Sequence, residues 1–383
     1  MYVSRVVGAD VVLADLRPLA ERTDAIQSFV SQETVIVTVW DEDGASGTGY
    51  SYTIGAGGSS IVALLQDHLL PRLIGREAES IEAIWHDLMF GVHALGVGPV
   101  LSLSLAAVDT ALWDLRSHRT GIPITRLVGG AHDSLPVYTT EGGWLHLTVE
   151  ELVADALRMR ESGFAGAKIK VGKPRGAEDL ERLTAVREAV GPQFELMADA
   201  NQALTLDQAM RRSHLFEPLD LGWLEEPMPA DDLGGHARLA RSTSVPIAVG
   251  ESLYSIGQFK DYLQAGACSI VQVDVARVGG ITPWLKVAHL AEAYNVAIAP
   301  HFLMELHIPL ACGVRNGAWV EHIPQLGPIT SAAPDIRAGR AYPPSVPGLG
   351  IDWNWAAIEQ HSLTDVVTIG AVADPRRNRV SVP

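Results

Sequence analysis

From about residue 135 onward the sequence alternates between short apolar segments and helix-patterned stretches. The eight apolar segments are PVYTT, GAKIKVG, FELMADAN, LGWLEEP, PIAVGES, SIVQVDVA, VAIAPHF and WVEHI. Strands that alternate with helices predict a parallel sheet, and eight of them predict a closed α/β barrel. Three helices have a capping-box start, at Thr148, Thr205 and Ser255. The repeat is somewhat short for a complete barrel of about 250 residues.

The sequence on either side of the repeat has a different texture. Residues 1 to about 60 alternate as strands do, with a hairpin turn at Asp43-Gly44, and the stretch to about 128 has helical periodicity. The segment after PPSVPGLG leaves the repeat and is expected to return to the first domain. The sequence therefore predicts an α+β domain over 1–130, a barrel over 131–342 and a C-terminal segment over 343–383.

Charge and composition exclude several kinds of partner. The net charge is −16, with 45 acidic against 29 basic residues, which argues against nucleic acid and anionic membranes. No stretch approaches the ~20 apolar residues of a membrane-spanning helix, and the N-terminus lacks a signal-peptide pattern. The two cysteines, Cys268 and Cys312, are expected to be reduced and buried. We expect a cytoplasmic enzyme that acts on a small molecule.

Seven consecutive barrel strands end in residues that carry out chemistry. In chain order these are Lys168 with Lys170, Asp199, Glu225, Glu251, Asp274, His301 and Glu321. The C-terminal ends of parallel barrel strands meet at one face, so these side chains are expected to share a site. Any one of them alone would be read as a solvated charge, but the repetition predicts an active site.

Three of these residues, Asp199, Glu225 and Glu251, form what we call the carboxylate triad, and each is 26 residues from the next. Three neighbouring carboxylates repel one another and hold raised pKa values unless a cation lies between them. All-oxygen ligands favour Mg²⁺. The alternative is a set of salt bridges to arginines on the barrel helices. Glu226 points to the opposite side of its strand and is expected to be a salt-bridge partner.

Lys168 and Lys170 are two residues apart on one strand, so both face the site. Two neighbouring ammonium groups disfavour each other's charge, which is expected to lower the pKa of at least one and to suit it as a general base. Asp274 and His301 end adjacent strands and are expected to form a hydrogen-bonded dyad. A protonated Glu321 would donate a hydrogen bond to a developing oxyanion.

Four further residues are candidates for contact with substrate. Asn201 lies two residues beyond Asp199 and shares its face, and Trp144 lies in the loop after the first barrel strand. Arg22 and Tyr52 belong to loops of the first domain that could reach the barrel. Arg22 and Tyr52 are equally consistent with a surface or core position, and the loop with Trp144 is also consistent with a simple turn. Arg22 would bind a second substrate carboxylate only if its loop folds over the barrel mouth.

The arrangement Lys-x-Lys, Asp-x-Asn, Glu-Glu-Pro, Gly-Glu, Asp, His, Glu resembles the enolase superfamily, specifically its mandelate-racemase-like subgroup. The resemblance covers nearly the whole chain. It implies a (β/α)7β barrel, which would explain the short repeat, and an N-terminal α+β capping domain completed by the C-terminal segment. It also implies, without further support, a homo-oligomer.

The resemblance also assigns roles. It implies Mg²⁺ bound by the carboxylate triad and a carboxylate substrate whose α-proton is removed to give an enediolate. The implied catalytic residues are Lys170 as the base for one face, His301 with Asp274 for the opposite face, Lys168 to neutralise the substrate carboxylate and Glu321 to bind the enediolate.

Three functions remain open at this point. The segments APHFLMELH, WVEHI and ALWDLRSH look most like acid-sugar dehydratases of the talarate/galactarate kind, which predicts dehydration of an aldonate or aldarate to a 2-keto-3-deoxy acid. A racemase or epimerase of a 2-hydroxy acid would use the same two bases. An inactive barrel that serves as a binding protein would be expected to have lost a ligand or base, and every position of the motif is present.

Overall fold

The computed structural model of the protein describes residues 4–18 and 20–371. The first part of the chain contains five strands and five helices: β1 Val6–Leu16, β2 Arg22–Thr23, β3 Ser28–Phe29, β4 Gln32–Asp41, β5 Ser46–Thr53, α1 Gly58–Leu64, α2 Leu70–Leu73, α3 Ile81–Gly91, α4 Pro99–Thr120 and α5 Ile124–Leu127. A π-helical turn, Leu65–Leu69, joins α1 to α2.

The long strands of this part form an antiparallel sheet in the order β1-β4-β5. The β4–β5 hairpin turns at Gly44, whose φ of 82° suits glycine, as the sequence predicted. Helix α4 packs directly on β5 because Gly47 and Gly49 leave room for it. A Cβ at Gly47 would lie 2.2 Å from the carbonyl oxygen of Ala111 on that helix.

The second part of the chain is the barrel. Its strands are β6 Leu135–Thr139, β7 Gly166–Lys170, β8 Glu195–Asp199, β9 Leu224–Glu225, β10 Ile247–Val249, β11 Ile270–Val271, β12 Ala297–Ile298 and β13 Val320–His322. The helices between them are α6 Val149–Glu161, α7 Gly176–Val190, α8 Leu206–Phe216, α9 Leu233–Ala240, α10 Ile256–Ala265, α11 Ile281–Ala293 and α12 Met304–Gly313.

The barrel strands pair in parallel from β6 to β12, and β13 pairs with β6. A parallel bridge between Ile298 and Gly317 closes the gap between β12 and β13. Eight strands with seven intervening helices, counted over the described residues, confirm the (β/α)7β barrel. Full capping boxes start α6 and α8. At α10 the Ser255 hydroxyl accepts from the backbone N–H of Gln258, but the Gln258 side chain accepts from the backbone N–H of Tyr254 and not from that of Ser255.

The end of the described chain returns to the first domain, as predicted. A hairpin of β14 Asp335–Arg337 and β15 Arg340–Tyr342 pairs with β6, helix α13 Trp355–His361 follows, and β16 Val367–Gly370 pairs antiparallel with β1. The domain boundaries at 130 and 342 stay a prediction. The two cysteines are buried and free, as expected. Among the described residues, no helix is both long and apolar enough to cross a membrane.

The short hairpin of β2 and β3 lies over the barrel mouth. The backbone N–H of Leu145, in the loop after β6, donates to the carbonyl oxygen of Thr23 over 2.9 Å. The N–H of His146 donates to the hydroxyl of the same threonine over 3.0 Å. The first domain therefore closes the end of the barrel at which the predicted site residues lie.

Candidate active site

The ends of the barrel strands and the covering hairpin line one cavity. Eight predicted site residues line it: Lys168, Lys170, Asn201, Glu251, His301 and Glu321 from the barrel strands, with Trp144 from the loop after β6 and Arg22 from the hairpin. Asp199 and Glu225 are fully buried at the ends of β8 and β9. Asp274 and Tyr52 lie behind His301. The structure thus brings together the residues that the strand-end pattern predicted.

The carboxylate triad is compact. Oxygen atoms of Asp199, Glu225 and Glu251 lie within 4.8 Å of one another. Burial and the charge of Asp199 raise the pKa of Glu225 to about 7. Among the residues that the structure describes, none donates a hydrogen bond to the buried Oε2 of Glu251, which lies 3.4 Å from Nε2 of His301. An oxygen-only cluster with an unsatisfied buried acceptor fits a hard divalent cation such as Mg²⁺.

Arginines on the barrel helices do not neutralise the triad. The one arginine paired with it in the described chain is Arg277, whose Nη1 lies 3.2 Å from Oε1 of Glu251. This arginine belongs to the loop that follows β11 and so lies at the barrel mouth. The other cations are Lys168 and Lys170, which are site residues themselves. The salt-bridge alternative is therefore wrong in its proposed form.

Glu225 is held by side chains that the sequence analysis missed. Its Oε2 accepts hydrogen bonds from Nε1 of Trp223 over 3.0 Å and from Nε2 of Gln272 over 2.6 Å. Trp223 precedes Glu225 by two residues, and Gln272 precedes Asp274 by two. This two-residue period along a strand places them on the same face and was the available signal.

The adjacent Glu226 faces away from the triad, as predicted. Its carboxylate accepts hydrogen bonds from the backbone N–H and the hydroxyl of Ser252, each over 3.2 Å. These bonds take the place of the expected salt bridge. Burial and the charge of Glu251 raise its pKa well above the ordinary value.

The two lysines point into the carboxylates. Nζ of Lys168 lies 2.7 Å from Oε1 of Glu225 and 3.0 Å from Oε1 of Glu321. Nζ of Lys170 donates to Asp199 over 2.6 Å and to Oδ1 of Asn201 over 2.9 Å. Burial disfavours both ammonium groups, but these carboxylates outweigh it and raise the pKa of each lysine. The expectation of a lowered lysine pKa is therefore wrong.

Asp274 and His301 form the predicted dyad. Nδ1 of His301 lies 2.9 Å from Oδ2 of Asp274. Burial opposes the charge on Asp274, but the hydrogen bond from His301 and the charges of His301 and Arg277 lower its pKa to about 2. Burial also disfavours the imidazolium, yet Glu251 and Asp274 raise the pKa of His301. A histidine whose Nδ1 bonds to a carboxylate presents Nε2 to the cavity as its reactive atom.

Tyr52 and Arg277 connect this dyad to the rest of the site. The hydroxyl of Tyr52 donates to Oδ2 of Asp274 over 2.8 Å, and Nε of Arg277 donates to that hydroxyl over 3.0 Å. The predicted contact between Tyr52 and substrate stays a prediction, since the structure directs this hydroxyl to Asp274. Arg277 was missed, although its position three residues after Asp274 was a signal.

Glu321 is surrounded by hydrogen-bond donors and cations. It accepts hydrogen bonds from the Thr140 hydroxyl over 2.5 Å and from the backbone N–H of Phe302 over 2.8 Å. Burial opposes its charge, but Lys168 and His301 outweigh burial and lower the pKa of Glu321. These contacts favour the ionised carboxylate, and the role of Glu321 as a hydrogen-bond donor to the enediolate stays a prediction.

The hairpin brings Arg22 over the barrel mouth, where it is already paired. Its guanidinium makes a short, two-pronged contact with the Glu141 carboxylate. It also donates to the side-chain oxygen of Gln325 over 3.0 Å and to the carbonyl oxygen of Pro324 over 3.1 Å. Its charge lies 5.9 Å from the ring centre of Trp144. One part of the cavity wall is therefore a cation that is already neutralised.

Two family models match the chain. One, described as "Enolase C-terminal domain-like", matches residues 151–357. The other, described as "Mandelate racemase / muconate lactonizing enzyme, N-terminal domain", matches residues 9–129. Together they cover most of the first domain, which we call the sheet domain, and most of the barrel.

Individual proteins are similar over most of their length. The chain is 38% identical to L-talarate/galactarate dehydratase of Salmonella typhimurium over 330 residues, 86% of this chain and 83% of that one. It is 38% identical to 3,6-anhydro-alpha-L-galactonate cycloisomerase of Streptomyces coelicolor, over 79% of this chain and 84% of that one. The structure of L-talarate dehydratase from Polaromonas sp. JS666, complexed with Mg and L-glucarate, is 35% identical, with a TM-score of 0.92 over 96% of this chain and 100% of that one.

Proposed function

Since the chain belongs to the mandelate racemase/muconate lactonizing enzyme family of the enolase superfamily, we propose that it is a Mg²⁺-dependent hydro-lyase. It would dehydrate an acid sugar, an aldonate or aldarate, to a 2-keto-3-deoxy acid. One observation carries the proposal. The carboxylate triad lies between a lysine wall and a His301–Asp274 wall, so a bound substrate meets a proton acceptor on one face and a proton donor on the other.

The carboxylate triad would hold the metal ion, with room beside the unsatisfied Oε2 of Glu251. Bound Mg²⁺ supplies positive charge that stabilises the developing negative charge on the substrate carboxylate. Lys168 would donate a hydrogen bond to the same carboxylate. Its Nζ lies between Glu225 and Glu321 and lines the cavity, which holds the ammonium group beside the proposed metal site. These groups orient the substrate with its α-carbon between the two walls.

Lys170 would take the α-proton on Nζ. Its ammonium group donates to Asp199, which favours the charged form. Asp199 as a ligand of the cation would attract this ammonium group less strongly, which would make the neutral amine of Lys170 accessible. The C–H bond then breaks, its electron pair passes into the carboxylate as an enediolate, and the proton stays on Lys170.

His301 would complete the elimination as its imidazolium. Asp274 holds Nδ1–H and raises the pKa of the ring, so Nε2 carries the proton that the departing β-hydroxyl needs. The C–O bond breaks, water leaves, and the enol product tautomerises to the 2-keto-3-deoxy acid. In a racemase or epimerase the same Nε2 would instead return a proton to the α-carbon from the opposite face.

The nature of the relatives supports dehydration of an acid sugar over racemisation. Talarate/galactarate, arabinonate and mannonate dehydratases are all similar to this chain at 28–38% identity. Their names cover both diacids and monoacids. We infer that the residues of the β2–β3 hairpin select the length and charge of the end of the substrate that lies away from the reacting carboxylate. Under each of these alternatives, the proposed substrate is a small molecule with a carboxylate group.

The test is a panel of aldonates and aldarates incubated with Mg²⁺, with 2-keto acid assayed as its semicarbazone. We expect product with at least one acid and none with Lys170→Ala, whereas Lys260→Ala, a change at an exposed lysine on α10, retains full activity. Solvent deuterium at the α-carbon of a 2-hydroxy acid, without 2-keto acid, would replace dehydration by racemisation. If the wild-type protein gives neither 2-keto acid nor deuterium exchange, the chain is an inactive barrel that serves as a binding protein.

A further inference from the structure

His307 bonds to the backbone beside both members of the dyad. It lies on α12, fully buried. The backbone N–H of Val275, the residue after Asp274, donates to its Nε2 over 3.1 Å. Its Nδ1 lies 3.2 Å from the carbonyl oxygen of Phe302, the residue after His301.

These two bonds determine where the ring proton lies. A backbone N–H can only donate, so Nε2 of His307 must be unprotonated. A carbonyl oxygen can only accept, so Nδ1 must carry the hydrogen. The ring is therefore neutral and in one tautomer, and burial, which lowers its pKa to about 4, agrees with this.

The backbone that His307 holds is strained. Phe302 has a φ of 64°, a left-handed conformation that costs a bulky residue free energy and persists only when its surroundings impose it. This conformation directs the Phe302 N–H to Glu321. A hydrogen bond from a fixed ring to the Phe302 carbonyl holds the peptide unit that follows Phe302, one residue beyond His301.

We propose that His307 is a positioning residue that fixes the geometry of the His301–Asp274 pair by joining the backbone after each of them. This inference rests on the proposed function for the role of His301. Because Lys170 acts from the opposite wall, removal of α-hydrogen does not require the dyad to be aligned. Loss of the hydroxyl does require this alignment. Substitution of His307 should therefore slow the loss of the hydroxyl without slowing the removal of the α-hydrogen.

Two substitutions divide the contacts of His307. In His307→Gln the amide oxygen can reach the place of Nε2 and keep the bond from Val275. In His307→Asn the amide nitrogen can reach the place of Nδ1 and keep the bond to Phe302. His236→Gln is the matched control, because His236 is also fully buried and its Nδ1 bonds to the carbonyl oxygen of Asp232, the residue before its own helix α9.

We expect each His307 variant to lose roughly tenfold to hundredfold in 2-keto acid formation, the loss typical of a small misplacement of a catalytic group. Solvent deuterium exchange into the unreacted substrate should stay within about threefold of wild type, and His236→Gln should change neither rate. An equal loss of both rates would reduce His307 to a folding role, and an unchanged rate of water loss would remove the proposal.

A second measurement needs no substrate. In ¹⁵N-histidine-labelled protein, the signals absent from His307→Gln belong to His307, and we expect a neutral ring protonated on Nδ1 that does not titrate from pH 6 to 8. A ring protonated on Nε2, or one that titrates in this range, overturns the inference. If no acid sugar reacts, the proposed function fails, while this spectrum still decides whether His307 joins the two backbone segments.

Discussion

The hydroxyl of Tyr52 donates to Oδ2 of Asp274 over 2.8 Å, which links a strand of the sheet domain to the catalytic pair of the barrel. The same oxygen accepts from Nδ1 of His301 over 2.9 Å. Two donors from different domains therefore share one acceptor. The orientation of His301 depends on the domain that covers it as well as on the strand that carries it.

Tyr52→Phe should slow water loss while leaving the fold intact. The ring keeps its contact with Phe302, whose centre is 4.7 Å away, but Asp274 loses a donor and Nε of Arg277 loses an acceptor. A hydrogen bond to a charged group contributes about 1.5–3 kcal/mol, so we expect roughly a tenfold or greater fall in kcat. Tyr262→Phe removes another buried tyrosine hydrogen bond, to the Ala230 carbonyl oxygen, and should lower Tm without changing kcat. Equal kcat values for the two variants would contradict the link.

Much of the site follows from the sequence because barrel topology converts position along the chain into position in space. A residue at the C-terminal end of a parallel strand must lie at the barrel mouth, and this placed the triad, the lysines, His301 and Glu321 together. The period of two along a strand would also have found Trp223 and Gln272. Such local rules carry no information on contacts between domains.

Contacts between the sheet domain and the barrel could not be read from any pattern. Tyr52 meets Asp274 across 222 positions of sequence, and Arg22 meets Glu141 across 119. The direction of the lysine pKa shift was wrong for a related reason. The argument considered two neighbouring ammonium groups, whereas the surrounding carboxylates decide the balance once the fold brings them together.

Mg²⁺ should stabilise the protein through the carboxylate triad. An ion that binds only the folded state adds about 2.7 kcal/mol at one hundred times its dissociation constant, and the Tm should rise accordingly. We expect this rise in the wild type and its loss in Glu251→Gln, measured by thermal unfolding with EDTA and with excess Mg²⁺. Glu226→Gln changes a neighbouring buried carboxylate that faces away from the triad, so it should keep the response. A full Mg²⁺ response in Glu251→Gln would show that the ion binds elsewhere.

Glu141→Gln should shift the substrate preference toward diacids. Glu141 neutralises Arg22 in the wall of the cavity, so removal of its charge leaves a buried guanidinium available to a second substrate carboxylate. We expect the ratio of kcat/KM for an aldarate over the matching aldonate to rise about tenfold, equivalent to about 1.4 kcal/mol. Glu161→Gln, an exposed change at the end of α6, should leave the ratio unchanged. A ratio that falls in Glu141→Gln would mean that Arg22 serves only to hold the hairpin.

Asp109 should make the stability of the fold depend on pH away from the active site. It is buried on α4 and accepts hydrogen bonds from the backbone N–H and the hydroxyl of Thr282, over 2.9 and 2.6 Å. Burial nevertheless raises its pKa to about 7, against about 3.9 for an unfolded chain. Between these two values the folded protein holds a proton that the unfolded chain has released. The contribution of Asp109 is therefore complete below pH 4 and is lost as the pH rises to about 7.

Asp109→Asn removes this titration and keeps the shape of the side chain. In urea unfolding at pH 5, 6, 7 and 8, we expect the wild-type free energy of unfolding to fall relative to that of the variant by up to about 1.4 kcal/mol per pH unit below pH 7. Above pH 7 the difference between the two proteins should become constant, because both states of the wild type are then ionised. Asp133→Asn, a change at a fully exposed carboxylate, should follow the wild-type curve throughout. Parallel curves for the wild type and Asp109→Asn would mean that Asp109 is already ionised in the fold at pH 5.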